Sequence, residues 1–180
     1  MKKIKVVISL SFIILVLFTI PTLLADTIKR DVLTKPCVVI TGTDSHVSKR
    51  GYQRITSKKD WIRAWEKNKG QKLGNKYDHN YNSLGLPLID FERYMVIAIF
   101  QGSGRNSRGL KAISVSEEQY RIAFRFDDES YQTIGGHIEV AVYGFFIIPR
   151  SSKPLILEEN VQGLNGKPPV WKKRITFPKI

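Results

Sequence analysis

The chain has 180 residues, a formal charge of +13 and one cysteine, Cys37. That length suits a single domain able to bury an ordinary core, and one thiol excludes an internal disulfide, so the fold must rest on its core alone. The positive excess favours anionic envelope polymers, lipid head groups or acidic proteins as partners without choosing among them.

The first residues, Met1-Lys2-Lys3-Ile4-Lys5, form a positive n-region, and Val6 to Ile20 is an almost uninterrupted apolar run closed by Pro21. That pattern predicts a cleavable N-terminal signal helix over residues 1–25, with the cut after Ala25 and Leu23 at the minus-three position. The run falls short of the roughly 20 residues that cross a bilayer, so an uncleaved signal segment is the one route to a membrane-tethered form. Removal of the segment takes Lys2, Lys3 and Lys5 with it and lowers the charge from +13 to +10. The expected product is extracytoplasmic, periplasmic or secreted, with a flexible leader over 26–36 and a single β-rich domain over 37–180. No small residues lead into Cys37 as a lipid-attachment site needs, and the residue reads as a small buried hydrophobe on a strand, with an intermolecular disulfide as the rival.

Cys37 to Thr41 is a β-branched run closed by Gly42, and Gly51 to Ile55 reads as a second strand. Lys58 to Asn68 is the clearest helix, because Ser57 and Asp60 stand at capping-box spacing and Trp61, Ile62 and Trp65 share one face. That face suits a core contact better than a ligand cage. The polar stretch from Gly70 to Pro87 is too poor in apolar residues for a buried element and reads as a solvated loop.

Tyr94 to Phe100 is apolar at every position and predicts a central strand buried on both faces. Gly102 to Gly109 then reads as a flexible basic loop. Leu110 to Val115 and Gln119 to Asp127 predict a hairpin about Ser116-Glu117-Glu118, with Tyr120, Ile122, Phe124 and Phe126 on the core face. Two loop signals, Asp127 to Ser130 and Gly135-Gly136, precede a long strand from His137 to Ile148 that Pro149 ends. Leu155 to Leu157 and Val170 to Phe177 are flanked by prolines and read at best as edge strands. The sum is a mainly β fold, an antiparallel β-sandwich or partly open barrel with one packed α-helix.

The segment from Trp61 to about Leu157 resembles the C-terminal domain of the PrcB-like exported bacterial proteins. The resemblance rests on the helix with Asp60, Trp61 and Trp65, on Leu86-Pro87 with Asp90-Phe91, on the strand Met95 to Phe100 closed by Gly102, and on Pro149 to Pro154. The chain departs from that family in having Ser107-Arg108-Gly109-Leu110 after the central strand and Tyr143-Gly144-Phe145 in the late one. The resemblance implies an extracytoplasmic β domain that contacts or stabilises another protein, with no catalytic residues to carry over.

Motifs for chemistry are sparse. There is no Gly-x-Ser-x-Gly elbow, no Ser-x-x-Lys pair and no His-Glu-x-x-His, so no catalytic residue, metal or cofactor is assigned. The best enzyme constellation would be Asp78, His79, His137 and Glu139. Basic clusters such as Lys172-Lys173-Arg174 lack a recognition helix or stacking aromatics, which argues against nucleic acid. The first expectation is a non-enzymatic module that binds or stabilises another envelope or secreted protein, a protease among them. Its predicted contact residues are Arg105, Asn106 and Arg108 in one loop and Arg150, Ser151 and Lys153 in another, because loops on a rigid sheet carry function. A chagasin-type protease inhibitor is the alternative, with the Gly102 to Gly109 loop, Gly135-Gly136 and the Pro149 turn presented at one end of a sandwich. An envelope enzyme comes third.

Overall fold

A computed structural model describes residues 36–73, 84–132, 134, 139–163 and 166–180. The expected signal segment, nearly all of the leader, and the residues Asp78, His79, Gly135, Gly136 and His137 lie outside the described residues. In chain order the elements are β1 (Val38–Gly42), β2 (Gly51–Ile55), α1 (Lys58–Lys69), β3 (Tyr94–Arg105), β4 (Ser107–Glu117), β5 (Ile122–Ser130), β6 (Val140–Pro149), β7 (Leu155–Asn160) and β8 (Trp171–Phe177). They form two four-stranded sheets, in the orders β1-β6-β3-β2 and β4-β5-β7-β8. The fold is a sandwich rather than a closed barrel.

The helix forms where its cap is written. Ser57 accepts a hydrogen bond from the Asp60 amide at 3.2 Å, and Gly70 closes the helix at φ 66°. Gly70 is required twice over, because a Cβ there would meet the His46 ring at 2.5 Å. His46 thus packs on the helix end, its amide donating to the Asn68 carbonyl at 2.8 Å.

The apolar run of β3 divides its side chains between two cores. Met95, Ile97 and Ile99 point between the sheets toward Phe124, Phe126, Phe146, Leu155 and Leu157. Val96, Ala98 and Phe100 point the other way, toward Trp61, Ala64 and Trp65 of α1. A strand buried on both faces therefore sits between a second sheet and a helix, and the domain has three layers. Phe145 of β6 anchors the outer layer, with its ring 4.9 Å from Trp61 in a T-shaped contact.

The structure differs from several sequence expectations, and Asp127 to Ser130 form the end of β5 rather than a loop. The Gly102 to Gly109 stretch is mostly strand, with only Asn106 between β3 and β4. Register shifts on either side of Gly102 bend β3, and Gly102 and Gly104 have φ 81° and 82°, so the chain turns the corner from one sheet to the other through bulges. Gly102 is also in close contact, since a Cβ would lie 2.8 Å from the Ser48 carbonyl oxygen. Tyr120 belongs to the turn between β4 and β5 and is 76 % exposed, whereas Ile122, Phe124 and Phe126 are buried as expected.

β7 is an interior strand and β8 the edge. β7 runs parallel to β5, from Ile122 beside Leu155 to Phe126 beside Glu159. The crossover a parallel pair needs is supplied by β6 in the opposite sheet. Finally, Cys37 is exposed just before β1, which begins one residue later than the sequence suggests.

Candidate functional site

The two loops predicted to form one contact surface lie at opposite ends of the sandwich. Arg105 closes β3 opposite Val140, while Pro149 stands opposite Tyr94 at the far end of the same strand pair. Asn106 and Arg108 sit at the start of β4 and Arg150 to Lys153 lie against Glu117 at its end, a separation of about 34 Å of extended strand. For the same reason the Pro149 turn cannot join the Gly102 to Gly109 corner in a chagasin-like array.

The second of these loops is occupied internally. Arg150 donates through Nη1 to the carbonyls of Phe91 at 2.5 Å and Thr56 at 3.2 Å, and its amide donates to Arg93 at 2.8 Å. Lys153 pairs with Glu117 at 2.9 Å and donates to the Glu118 carbonyl at 2.8 Å, while Ser151 Oγ donates to Glu117 at 3.3 Å. Arg54, from β2, donates to the carbonyls of Ser151, Lys153 and Pro178. Burial, and then the nearby Arg150 charge, lower the Arg54 pKa from its ordinary value. These cations fasten the sandwich base together. At the other end, the Asn106 carbonyl accepts from the Tyr131 amide at 3.0 Å, and Arg108 lies over the Tyr131 ring at 5.6 Å. The Arg105 side chain lies outside the described part of the structure.

A site the sequence does not announce lies along β1. On the helix side of the sheet, across β1, β6 and the start of β3, is a cavity of about 350 Å³, bounded by Cys37 and Val38, by Pro87 to Asp90, and by Tyr94 and Ile147. A second depression of about 410 Å³ lies on the other side of the same Pro87 to Asp90 segment, toward Lys58 and Trp61. Between them Leu88 forms a ridge that is 92 % exposed, and Val38 and Val39 are 51 % and 48 % exposed.

The ridge is held from beneath by the helix. Trp61 Nε1 donates to the Pro87 carbonyl and Trp65 Nε1 to the Leu84 carbonyl, each at 2.9 Å. Leu86 is buried between these anchors, and Asp90 ends the segment by accepting from the Glu92 amide at 3.0 Å and, through its carbonyl, from Tyr94 at 2.9 Å. With both ends fixed, Leu88 has no core to enter. Sequence reading finds Leu86-Pro87 and the tryptophans but not the site, because whether Val38 and Leu88 are covered depends on which strand occupies the sheet edge.

The lining of this groove is mainly apolar. Asp90 and Cys37 are its polar side chains of note, and the described residues contain no group of three or more His, Cys, Asp or Glu able to hold a metal ion. Glu139, from the enzyme constellation, is exposed. No helix among the described residues is long and apolar enough to cross a membrane. No protein-family model, curated protein or solved structure matches this chain.

Proposed function

We propose that the chain is an exported, non-enzymatic protein-binding module, and that it receives an extended segment of its partner along β1. One contrast carries this reading. Sheet edges are normally guarded by charge, and among the described residues two other edges expose it: β4 carries Arg108 and Lys111, and β8 carries Lys172 and Lys173. β1, Val-Val-Ile-Thr-Gly, carries no charge, and among the described residues no strand lies beside its outer edge. An incoming strand would gain backbone hydrogen bonds from that edge and place alternate apolar side chains beside Val38, at the open side of the groove that Leu88 borders. The resemblance to PrcB-like domains points to the same class of role.

The test is selection from a displayed library of random linear peptides on the chain lacking residues 1–25. Enriched ligands are expected to carry apolar residues at alternate positions. Val38→Lys with Leu88→Lys should abolish their binding without moving the melting temperature, since both side chains are solvent-exposed. Ligands that bind the double variant undiminished would refute the β1 site.

A further inference from the structure

The flank opposite the β1 groove has the contrary character. There the edges β2 and β8 of the two sheets run side by side: Arg50, just before β2, lies 3.5 Å from Glu159, which Arg174 of β8 also contacts, and Arg54 reaches the Pro178 carbonyl just past β8. A cavity of about 470 Å³ opens between this double edge and α1, with Arg54, Arg63 and Lys67 among its walls. Arg63 and Lys67 also border a second depression of about 450 Å³, which runs on to Lys72. Cations therefore follow one another from the strand edges across the helix.

The acids on this flank are already engaged. Asp60 accepts from Ser57 and lies 3.5 Å from Arg63, and Glu66 Oε1 accepts from the Leu73 amide at 2.8 Å. Glu159 is shared by Gln101, Arg50 and Arg174. Lys49, Lys67 and Lys72 are exposed and make no ion pair among the described residues. Cations outnumber acids in both depressions, with Arg54, Arg63 and Lys67 against Asp60 in the first and Arg63, Lys67 and Lys72 against Glu66 in the second, so the field there stays positive.

We infer that this flank binds a linear, phosphate-bearing polyanion laid along the depression between α1 and the β2 and β8 edges. The exposed Arg63, Lys67 and Lys72 match closely spaced phosphate oxygens, while the Arg54 guanidinium stays bonded to the carbonyls of Ser151, Lys153 and Pro178 and adds only its charge. A concave depression between α1 and the strand edges suits a chain better than a flat bilayer. Among the described residues that line the first cavity the one aromatic is Phe177, which is buried, so the cavity wall offers no stacking platform for bases. Because β1 and β2 are opposite edges of one sheet, the molecule would hold a protein on one side and a polymer on the other.

The experiment titrates the chain lacking residues 1–25 with long-chain inorganic polyphosphate, followed by calorimetry at several salt concentrations. Lys49→Gln, Arg63→Gln and Lys67→Gln combined should weaken binding by about tenfold or more and lower the slope of log K against log salt by about one per cation removed. Arg108→Gln with Lys111→Gln, on the β4 edge, should leave both quantities within about twofold of the parent. Unaltered melting temperatures separate these effects from unfolding. Equal losses in the two variants would reduce the result to net charge and overturn the site, as would absence of polyphosphate binding. Tighter binding to phosphatidylglycerol vesicles or to single-stranded DNA, with the same triple-variant loss, would overturn the polymer assignment in favour of a membrane or a nucleic acid.

Discussion

The Trp61 indole N–H donates to the Pro87 carbonyl at 2.9 Å, and this bond sets the height at which Leu88 stands above its two flanking depressions. Trp61 itself is 1 % exposed, so the donor cannot be replaced by water without opening the outer core.

Trp61→Phe should therefore cost more than the lost ring area. It leaves the Pro87 carbonyl without its donor and opens a void beside Phe145, and a destabilisation of about 2–3 kcal/mol is expected. Urea unfolding followed by far-ultraviolet circular dichroism measures it; a change below about 1 kcal/mol would mean that the segment is not held by this bond.

Cys37 offers the simplest check on the β1 edge. The thiol is exposed at the start of the groove, so a disulfide reagent such as DTNB should titrate it fully in native buffer, at a rate unchanged by added urea. Reaction that appears only on unfolding would place the residue in the core, as its sequence context first indicates.

At the sandwich base, Arg54 joins β2 to the segments after β6 and β8 through the carbonyls of Ser151, Lys153 and Pro178. Arg54→Met keeps much of the apolar stem but strands three acceptors, and about 3 kcal/mol of stability should be lost. Arg54→Lys should recover only part of it, because a single ammonium cannot reproduce the planar fork. Full recovery by lysine would show that charge, rather than geometry, is what the base requires.

Glu159 is 4 % exposed at the inner face of β7, held by Gln101 from the opposite sheet and by Arg50 and Arg174. The β8 register skips Arg174 between Lys173 and Ile175, and this bulge accompanies its contact with the carboxylate. Glu159→Gln leaves both guanidiniums without their counter-charge, at about 2–3 kcal/mol, toward the lower end for a buried pair because the arginines still reach water. Thermal unfolding of the variant in low and high salt measures the loss; stability equal to the parent would make this cluster energetically neutral.

Local elements were legible from local signals. β2 spans Gly51 to Ile55, the residues read as a second strand, and α1 begins directly after Ser57, the serine that its cap requires. The apolar run of β3 correctly indicates a strand covered on both faces, since no alternation is left for water. Misreadings cluster where a residue's neighbours come from far along the chain. Gly102 to Gly109 has loop composition because bulged strands need glycine as turns do, and Leu155 to Leu157 looks peripheral because its prolines flank the strand rather than interrupt it. Arg150 and Lys153 look like surface cations until the carbonyls of Thr56 and Phe91 and the carboxylate of Glu117 arrive beside them.

The amino-acid sequence by itself determined the β-rich class, the capped helix and the doubly buried central strand, because backbone propensity, capping and side-chain periodicity act over a few residues. Tertiary structure alone decided that β1 is an uncharged sheet edge, that Leu88 stands exposed, that Cys37 is accessible and that the predicted basic loops lie at opposite ends. Those properties depend on which strand ends up next to which, and strand order is fixed by contacts between segments distant in the chain, where no local signal reaches.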